Sequence, residues 1–503
     1  MDVLSNLGLG FEVALQPTTL LFAFIGVFIG TAVGVLPGLG APGAIALLLP
    51  LTYGLDPVVA VVMVAGIYYG TMYGGSTTSI LVNIPGESAS VVTALDGYAM
   101  ARKGRAGVAL GMCAIASFIA GTIGIVLMTV LAPLLGRIAL SFGPLEYTVL
   151  LGIGLLCASF LVSGSQWKAL LMLLVGLALG SVGIDPITGD QRFTFGSVYL
   201  LDGVKFVVVV MGIFGITEVL STIYEGTAER RLFQPSTRFS DLLPNRDEAR
   251  RSALPIARGS LLGFFLGLLP GGGAVIASFA SYAMEKRLSN RPDQFGKGAI
   301  EGVAAPEAAN NSAASAAFVP LLTLGIPFNA VTALILAALM IQGIRPGPML
   351  MSSNPEVFWG VIASMYIGNL MLLVLNLPLV GLFVQLLRVP YPVLFPVILL
   401  ITMLGSYSID NNLMDVICAL AFGVFGFVLR LARFELAPLA LGLVLGPMFE
   451  ASFRQTLIVS RGDFAFVLSR PIALGIFAVA TLWIVVSVVL RRRERGFSTP
   501  ASE

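Results

Sequence analysis

Residues 26–41, GVFIGTAVGVLPGLGA, recur in this chain as residues 259–274, GSLLGFFLGLLPGGGA. The copies align without a gap at an offset of 233, and eight of their sixteen positions are identical. Shared are three glycines at four-residue spacing (Gly26, Gly30, Gly34; Gly259, Gly263, Gly267), then Leu-Pro-Gly, a Gly and an Ala. Glycines four apart lay a flat strip along one helix face, which lets a second backbone approach closely in lipid. Pro37 and Pro270 lack the amide, and Gly38 and Gly271 tolerate irregular torsions, so the helix stops there. Each copy therefore predicts a tightly packed membrane helix broken at its end. Such interrupted apolar segments, in matching places of two halves, point to the binding site of a transporter. On that reading the two breaks, at Pro37, Gly38 and Gly40 and at Pro270, Gly271, Gly272 and Gly273, face each other. Residues 38–43, GLGAPG, also fit a dinucleotide fingerprint, but they follow a membrane-length apolar run instead of the strand of a βαβ unit.

Composition sets the frame for these helices. The 503 residues are 57% hydrophobic and 11% charged, against about 25% charged in soluble domains, and the mean hydropathy is +0.94. This predicts an all-α polytopic membrane protein. At about 20 residues per crossing, it has room for about ten to fourteen membrane segments, re-entrant or broken helices included. The chain has no histidine, which removes the commonest metal ligand and the easiest proton relay. Cys113, Cys157 and Cys418 all sit in apolar runs and read as packing residues. There is no hydrolase elbow, P-loop or paired-histidine motif, so no enzyme activity, no cofactor and no resident metal are expected. The net charge of +2 gives no reason to invoke nucleic acid. No Lys or Arg precedes the first apolar run, which argues against a cleaved signal peptide.

In chain order, residues 1–226 form a first half. Its helix over 19–36 ends in the break at Pro37, and 57–84 is apolar but carries Gly70, Gly74, Gly75 and the run Ser76, Thr77, Thr78, Ser79. Residues 85–105 read as a polar loop, followed by spans near 106–133, 145–163, 167–184 and 203–223, with an extramembrane loop over 183–202. Residues 227–258 form an arginine-rich linker, placed in the cytoplasm by the positive-inside rule. Residues 259–350 hold the second repeat core. Residues 351–490 read as added scaffold with spans near 357–386, 392–408, 412–430 and 434–450, and 491–503 as a cytoplasmic tail.

The halves correspond a second time. The Ser/Thr run 76–79 precedes Ile84-Pro85, and the run Asn310, Asn311, Ser312 through Ser315 precedes Ile326-Pro327. Hydroxyls, amide oxygens and freed carbonyls are hard ligands suited to Na+, and exposed amides at half-helix N-termini attract carboxylates. The competing reading is hydrogen-bonding glue between helices. Recurrence beside the break motif favours a site built from these runs together with Asn83, Pro327 and Asn329. Glu307 is an ionisable group in an apolar segment. It is either functional or an interfacial acid paired with a base such as Lys297. In an unbroken helix Asn310 and Asn311 would point about 100° apart, so a helix break there is expected to turn both amides into the site.

At these residues the chain resembles the large membrane subunit, TctA, of the tripartite tricarboxylate transporters. The strings that carry the resemblance are GVLPGLGAPGAIALLLPLTYG (34–54), YGGSTTSILVNIPGESASVVTALDGYAMARKGRAG (73–107), LLPGGGA (268–274) and APEAANNSAASAAFVPLLTLGIP (305–327). The resemblance implies a cation-driven importer of small di- or tricarboxylates in a bacterial inner membrane. Its implied partners are a small membrane subunit (TctB-like) and a periplasmic substrate-binding protein (TctC-like). One departure stands out: such proteins often have Gly-Ser after the second Ile-Pro, and here Phe328-Asn329 follows, which changes the shape of that tip. The alternative from another class is a non-transporting scaffold or receptor subunit, which does not require a duplicated helix break.

Overall fold

The computed structural model describes residues 3–36, 40–160, 165–225, 238–271, 273–387, 389, 391–463, 465–478 and 481. The first half opens with α1 (Val3–Ala14), α2 (Pro17–Val35), α3 (Gly40–Leu48) and α4 (Pro57–Val82). After a short 3-10 turn come α5 (Val91–Arg102), α6 (Ala106–Ala139), α7 (Pro144–Phe160) and α8 (Gln166–Gly180). A small antiparallel hairpin pairs β1 (Gly183–Ile184) with β2 (Gln191–Arg192). It leads to α9 (Phe206–Val210), which runs through a π turn into α10 (Thr217–Glu225). Beyond α11 (Phe239–Leu242) follow α12 (Arg246–Gly267), α13 (Gly273–Leu288), α14 (Glu301–Ala316), α15 (Phe318–Leu324) and α16 (Ala330–Ile341). The chain closes with α17 (Leu350–Ser353), α18 (Pro355–Asn376), α19 (Val380–Leu386), α20 (Tyr391–Asp410), α21 (Leu413–Leu431), α22 (Ala437–Ser460) and α23 (Ala465–Leu468).

Among the described residues, seven helices are long and apolar enough to cross a membrane, and five shorter apolar helices accompany them. The all-α polytopic class read from composition is the class observed. The only described strands are the two-residue pair of the hairpin.

The two glycine strips do the same work. Gly26, Gly30 and Gly34 set α2 directly on the backbone of α4; a Cβ built on Gly34 would lie 2.7 Å from the Thr71 carbonyl oxygen. Gly259, Gly263 and Gly267 set α12 on α14, where a Cβ on Gly259 would lie 2.6 Å from the Ala305 carbonyl oxygen. The helices that follow also start in register, α3 at Gly40 and α13 at Gly273, 233 residues apart. Each strip thus lets a broken helix press against a helix at the centre of the molecule. Every residue of α14 is buried, and α4 is buried from Val58 to Leu81.

Several expectations change at this level. Residues 85–105 are not simply a loop: they contain α5, packed against α4, α6 and α14. Its Asp96 and Arg102 made it look exposed, but Asp96 is buried and accepts the backbone amides of Gly298 and Ala299 at 2.7 and 2.8 Å. The segment over 357–386 is two helices, α18 and α19. Moreover, α18 packs against α1, α4 and α6 in the interior, where Asn369 accepts the Tyr73 hydroxyl at 2.8 Å. From Arg246 the arginine-rich stretch is the first part of α12, where Arg251 pairs with Glu301 and Arg258 with Glu285. Residues 226–237, the end of the scaffold segment (482–490) and the tail 491–503 lie outside the described residues.

Candidate functional site

Four chain tips converge on one open cleft of about 610 Å³. They are the start of α3 (Gly40, Ala41, Pro42), the break before α13 (Gly271, Gly273, Ala274), the loop after α4 (Pro85 to Ala89) and the start of α16 (Asn329, Ala330, Val331). Two of the tips are tied together, since the Gly271 amide donates to the Phe328 carbonyl at 2.8 Å. The N-terminal ends of α3, α13 and α16 therefore all face the cleft. Helix N-termini present free amides and a partial positive charge, so this wall is suited to an anion. At the start of α16, Asn329 makes a capping box with Thr332, accepting its amide at 2.8 Å.

Behind the cleft, α4, α5, α6 and α14 enclose a polar network centred on Glu307. Its Oε1 accepts the Ser76 hydroxyl at 2.7 Å and the Thr93 hydroxyl, and Ser117 approaches Oε2 at 3.4 Å. Glu307 is wholly buried and makes no ion pair with Lys297; hydroxyls replace the expected base. One turn later on α14, Asn311 donates to Ser117 at 2.7 Å and to the Glu307 carbonyl at 3.0 Å. Asn310 donates to Glu87 Oε1 at 2.8 Å, which connects the network to the cleft wall. A buried carboxylate without a cationic neighbour costs free energy unless hydrogen bonds or a bound charge compensate it.

The expected break at Asn310 and Asn311 does not occur: α14 is continuous through both. Both side-chain NH2 groups find acceptors because α14 is enclosed on every side, so no face of it meets lipid.

The other sequence candidates divide by place. Gly40, Gly271, Gly273 and Asn329 line the cleft. Pro270 sits half-buried beside it, Pro327 is buried behind the Asn329 tip, and Pro37, Gly38 and Gly272 lie outside the described residues. Gly74 seats α4 on Thr31 and Gly34 of α2, and Gly75 accepts the Gly86 amide at 3.2 Å, leaving room for Glu87. Thr78 reaches the Val35 carbonyl at the end of α2 at 3.3 Å, and Ser79 donates to Ser90 at 2.8 Å, which holds the loop after α4. Thr77 is buried on the same helix, and Ser312 donates to the Ser260 carbonyl at 2.7 Å as helix-to-helix glue. Asn83 is exposed and takes the left-handed conformation that ends α4, with φ 60°.

Sequence reasoning missed Glu87, Thr93 and Ser117. A signal for Glu87 was present: Ile84-Pro85 and Ile326-Pro327 stand 242 residues apart, and at that offset Glu87 matches Asn329. Thr93 and Ser117 carry no such signal, because only packing brings α5 and α6 to Glu307.

Two buried helices, each gripped by a glycine-strip helix, among seven helices long and apolar enough to cross a membrane, describe a multi-pass membrane protein. Comparison with known proteins agrees. The chain matches the tripartite tricarboxylate transporter TctA family over residues 20–441 and belongs to that family, whose members are transporter subunits of tripartite systems and not enzymes. It is similar to an "Uncharacterized 52.8 kDa protein in TAR-I ttuC' 3'region" of Agrobacterium vitis, 50% identical over 489 residues, 97% of each chain. It is also similar to an "Uncharacterized protein in TAR-II ttuC' 3'region" of the same organism, 52% identical over 227 residues, 45% of this chain and 94% of that one. No solved structure matches.

Proposed function

We propose that this chain is the transporting subunit of a cation-coupled importer of small di- or tricarboxylates, with Na+ as the coupling ion, in a bacterial inner membrane. The observation that carries the reading is the cleft, because three helix N-termini face it and no Lys or Arg lines it among the described residues. An anion there is held by backbone dipoles and by a co-bound cation instead of fixed side-chain charge. Residues 1–226 and 259–350 are read as two repeated halves, each supplying one glycine-strip helix, one re-entrant helix and one central helix. Site roles are assigned to Gly40, Gly271, Gly273 and Asn329 at the substrate wall, and to Ser76, Glu307, Asn310 and Asn311 behind it. A TctB-like membrane subunit and a TctC-like periplasmic binding protein would complete the system and deliver substrate.

The test is reconstitution of the full chain with its two partners, followed by uptake of a labelled panel of succinate, malate and citrate under imposed Na+ and pH gradients. Saturable uptake of one member that requires the Na+ gradient supports the reading. Uptake indifferent to Na+ and driven by the pH gradient removes Na+ coupling. No uptake of any member by a folded, assembled complex favours a non-transporting subunit.

A further inference from the structure

The geometry points to a monovalent cation site between the Glu87 carboxylate and Oδ1 of Asn310, one that is filled before a carboxylate enters the cleft. The order of filling rests on the carboxylate reading above; the cation site itself does not.

Glu87 lines the cleft on the loop after α4. Its Oε1 accepts Asn310 Nδ2 at 2.8 Å, and its second oxygen accepts from no described residue. Asn310 is wholly buried, and its Oδ1, in the same amide that touches Glu87, has no hydrogen-bond partner. A buried amide oxygen left unpaired is costly, and native structures rarely tolerate one without a ligand. The free carboxylate oxygen and the unpaired amide oxygen belong to two side chains already joined by a hydrogen bond, and both are hard oxygen ligands of the kind that suits Na+. The positive charge missing from the cleft wall is the charge this site would supply. No group of three or more His, Cys, Asp or Glu occurs among the described residues, so the acid-rich cage that a divalent ion prefers is lacking.

Glu307 is the poorer seat. It lies one helical turn before Asn310, but its Oε1 already receives two hydroxyls and it does not line the cleft. Two carboxylates on this side of the cleft oppose a carboxylate substrate by like-charge repulsion. A cation on Glu87 converts that wall from repelling to attracting, which couples the two ligands in the order cation, then substrate.

The experiment uses the purified full-length chain in lipid nanodiscs, without partners. Saturable binding of radioactive Na+ is measured in choline buffer for the wild type, Glu87→Gln and Asn310→Ala. Glu87→Gln keeps the shape and the acceptor for Asn310, so its melting temperature without Na+ should match the wild type. Expected are Na+ binding by the wild type without substrate, at least about tenfold weaker binding in both variants, and Na+-dependent thermal stabilisation in the wild type alone. Absence of Na+ binding in the wild type, or equal binding by folded Glu87→Gln, overturns the site. Labelled citrate is then bound with and without Na+. Binding that needs Na+ supports the order, and binding without Na+ overturns it. If no citrate binds in either buffer while Na+ binding is intact, the carboxylate reading and the order fail and the cation site stands.

Discussion

Asn310 on α14 donates its amide to Glu87 at 2.8 Å, joining the buried helix of the second half to the loop that follows the buried helix of the first. Its neighbour Asn311 turns instead toward α6 and donates to Ser117 at 2.7 Å. Successive helical residues point about 100° apart, and α14 has a partner in both directions because every face of it is covered.

The two asparagines are therefore expected to separate on mutation. Asn310→Ala should leave folded yield near the wild type and lower uptake per folded protein at least about tenfold. Asn311→Ala loses two donated hydrogen bonds and should destabilise the protein by about 1–3 kcal/mol. It should also keep the larger share of uptake per folded protein. Thermal melting and uptake, both normalised to folded protein in membranes, decide this; equal behaviour of the two variants would count against it.

Glu307→Gln replaces one acceptor oxygen by a donor amide among Ser76, Thr93 and Ser117, which already donate to that carboxyl. The isostere preserves volume, so the fold should survive. Uptake per folded protein is expected to fall at least about tenfold. Wild-type specific uptake in this variant would reduce Glu307 to a packing role.

The glycine strips make a stability prediction free of any assumption about the ligand. A side chain at Gly34 or Gly259 collides with the backbone of Thr71 or Ala305. Gly34→Val and Gly259→Val should each cost at least about 1–3 kcal/mol by overpacking, read as loss of folded protein on extraction. Gly136→Ala in α6 is the control, because nothing lies within 4 Å of a Cβ there. A folded yield of Gly34→Val equal to that of Gly136→Ala would contradict the packing described.

Outside the candidate spans, the hairpin carries a pH-dependent anchor. Asp185 accepts the Ile187 amide at 2.8 Å and pairs with Arg454 and Arg192. The Ile187 amide first, then the Thr188 amide and Arg454, hold its carboxyl below the ordinary value of 3.8 against the opposing effect of burial. A depressed folded pKa stabilises above the unfolded pKa, and that stabilisation is lost as pH falls through the folded value. Protection of the 183–192 amides against hydrogen exchange, relative to their intrinsic rates, should stay high near neutrality and fall as pH drops below about 4. Asp185→Asn should exchange faster throughout and lose that pH dependence. A hairpin equally protected in both proteins at neutral pH would exclude the anchor.

The membrane class and both glycine strips were legible in the residues, because apolar length and four-residue spacing are local properties of one helix. So was where the two glycine-strip helices end, at Val35 and Gly267, just ahead of a Leu-Pro-Gly. Glu307, Asn310 and Asn311 could be singled out as polar groups in apolar surroundings, but their partners could not. Ser76, Thr93 and Ser117 reach Glu307 from α4, α5 and α6, and no spacing along the chain records that meeting. The same limit made α5 look like an exposed loop: its charges are satisfied by α13 and the residues before α14, as when Tyr282 donates to Asp96 at 2.9 Å. It also suggested a break at Asn310, since a lone helix must show one amide to lipid whereas an enclosed helix need not. Sequence determined the apolar helices and where the two glycine-strip helices stop. Enclosure by neighbouring helices, a property of the packed whole, decided which polar groups are buried together and which of them open onto the cleft.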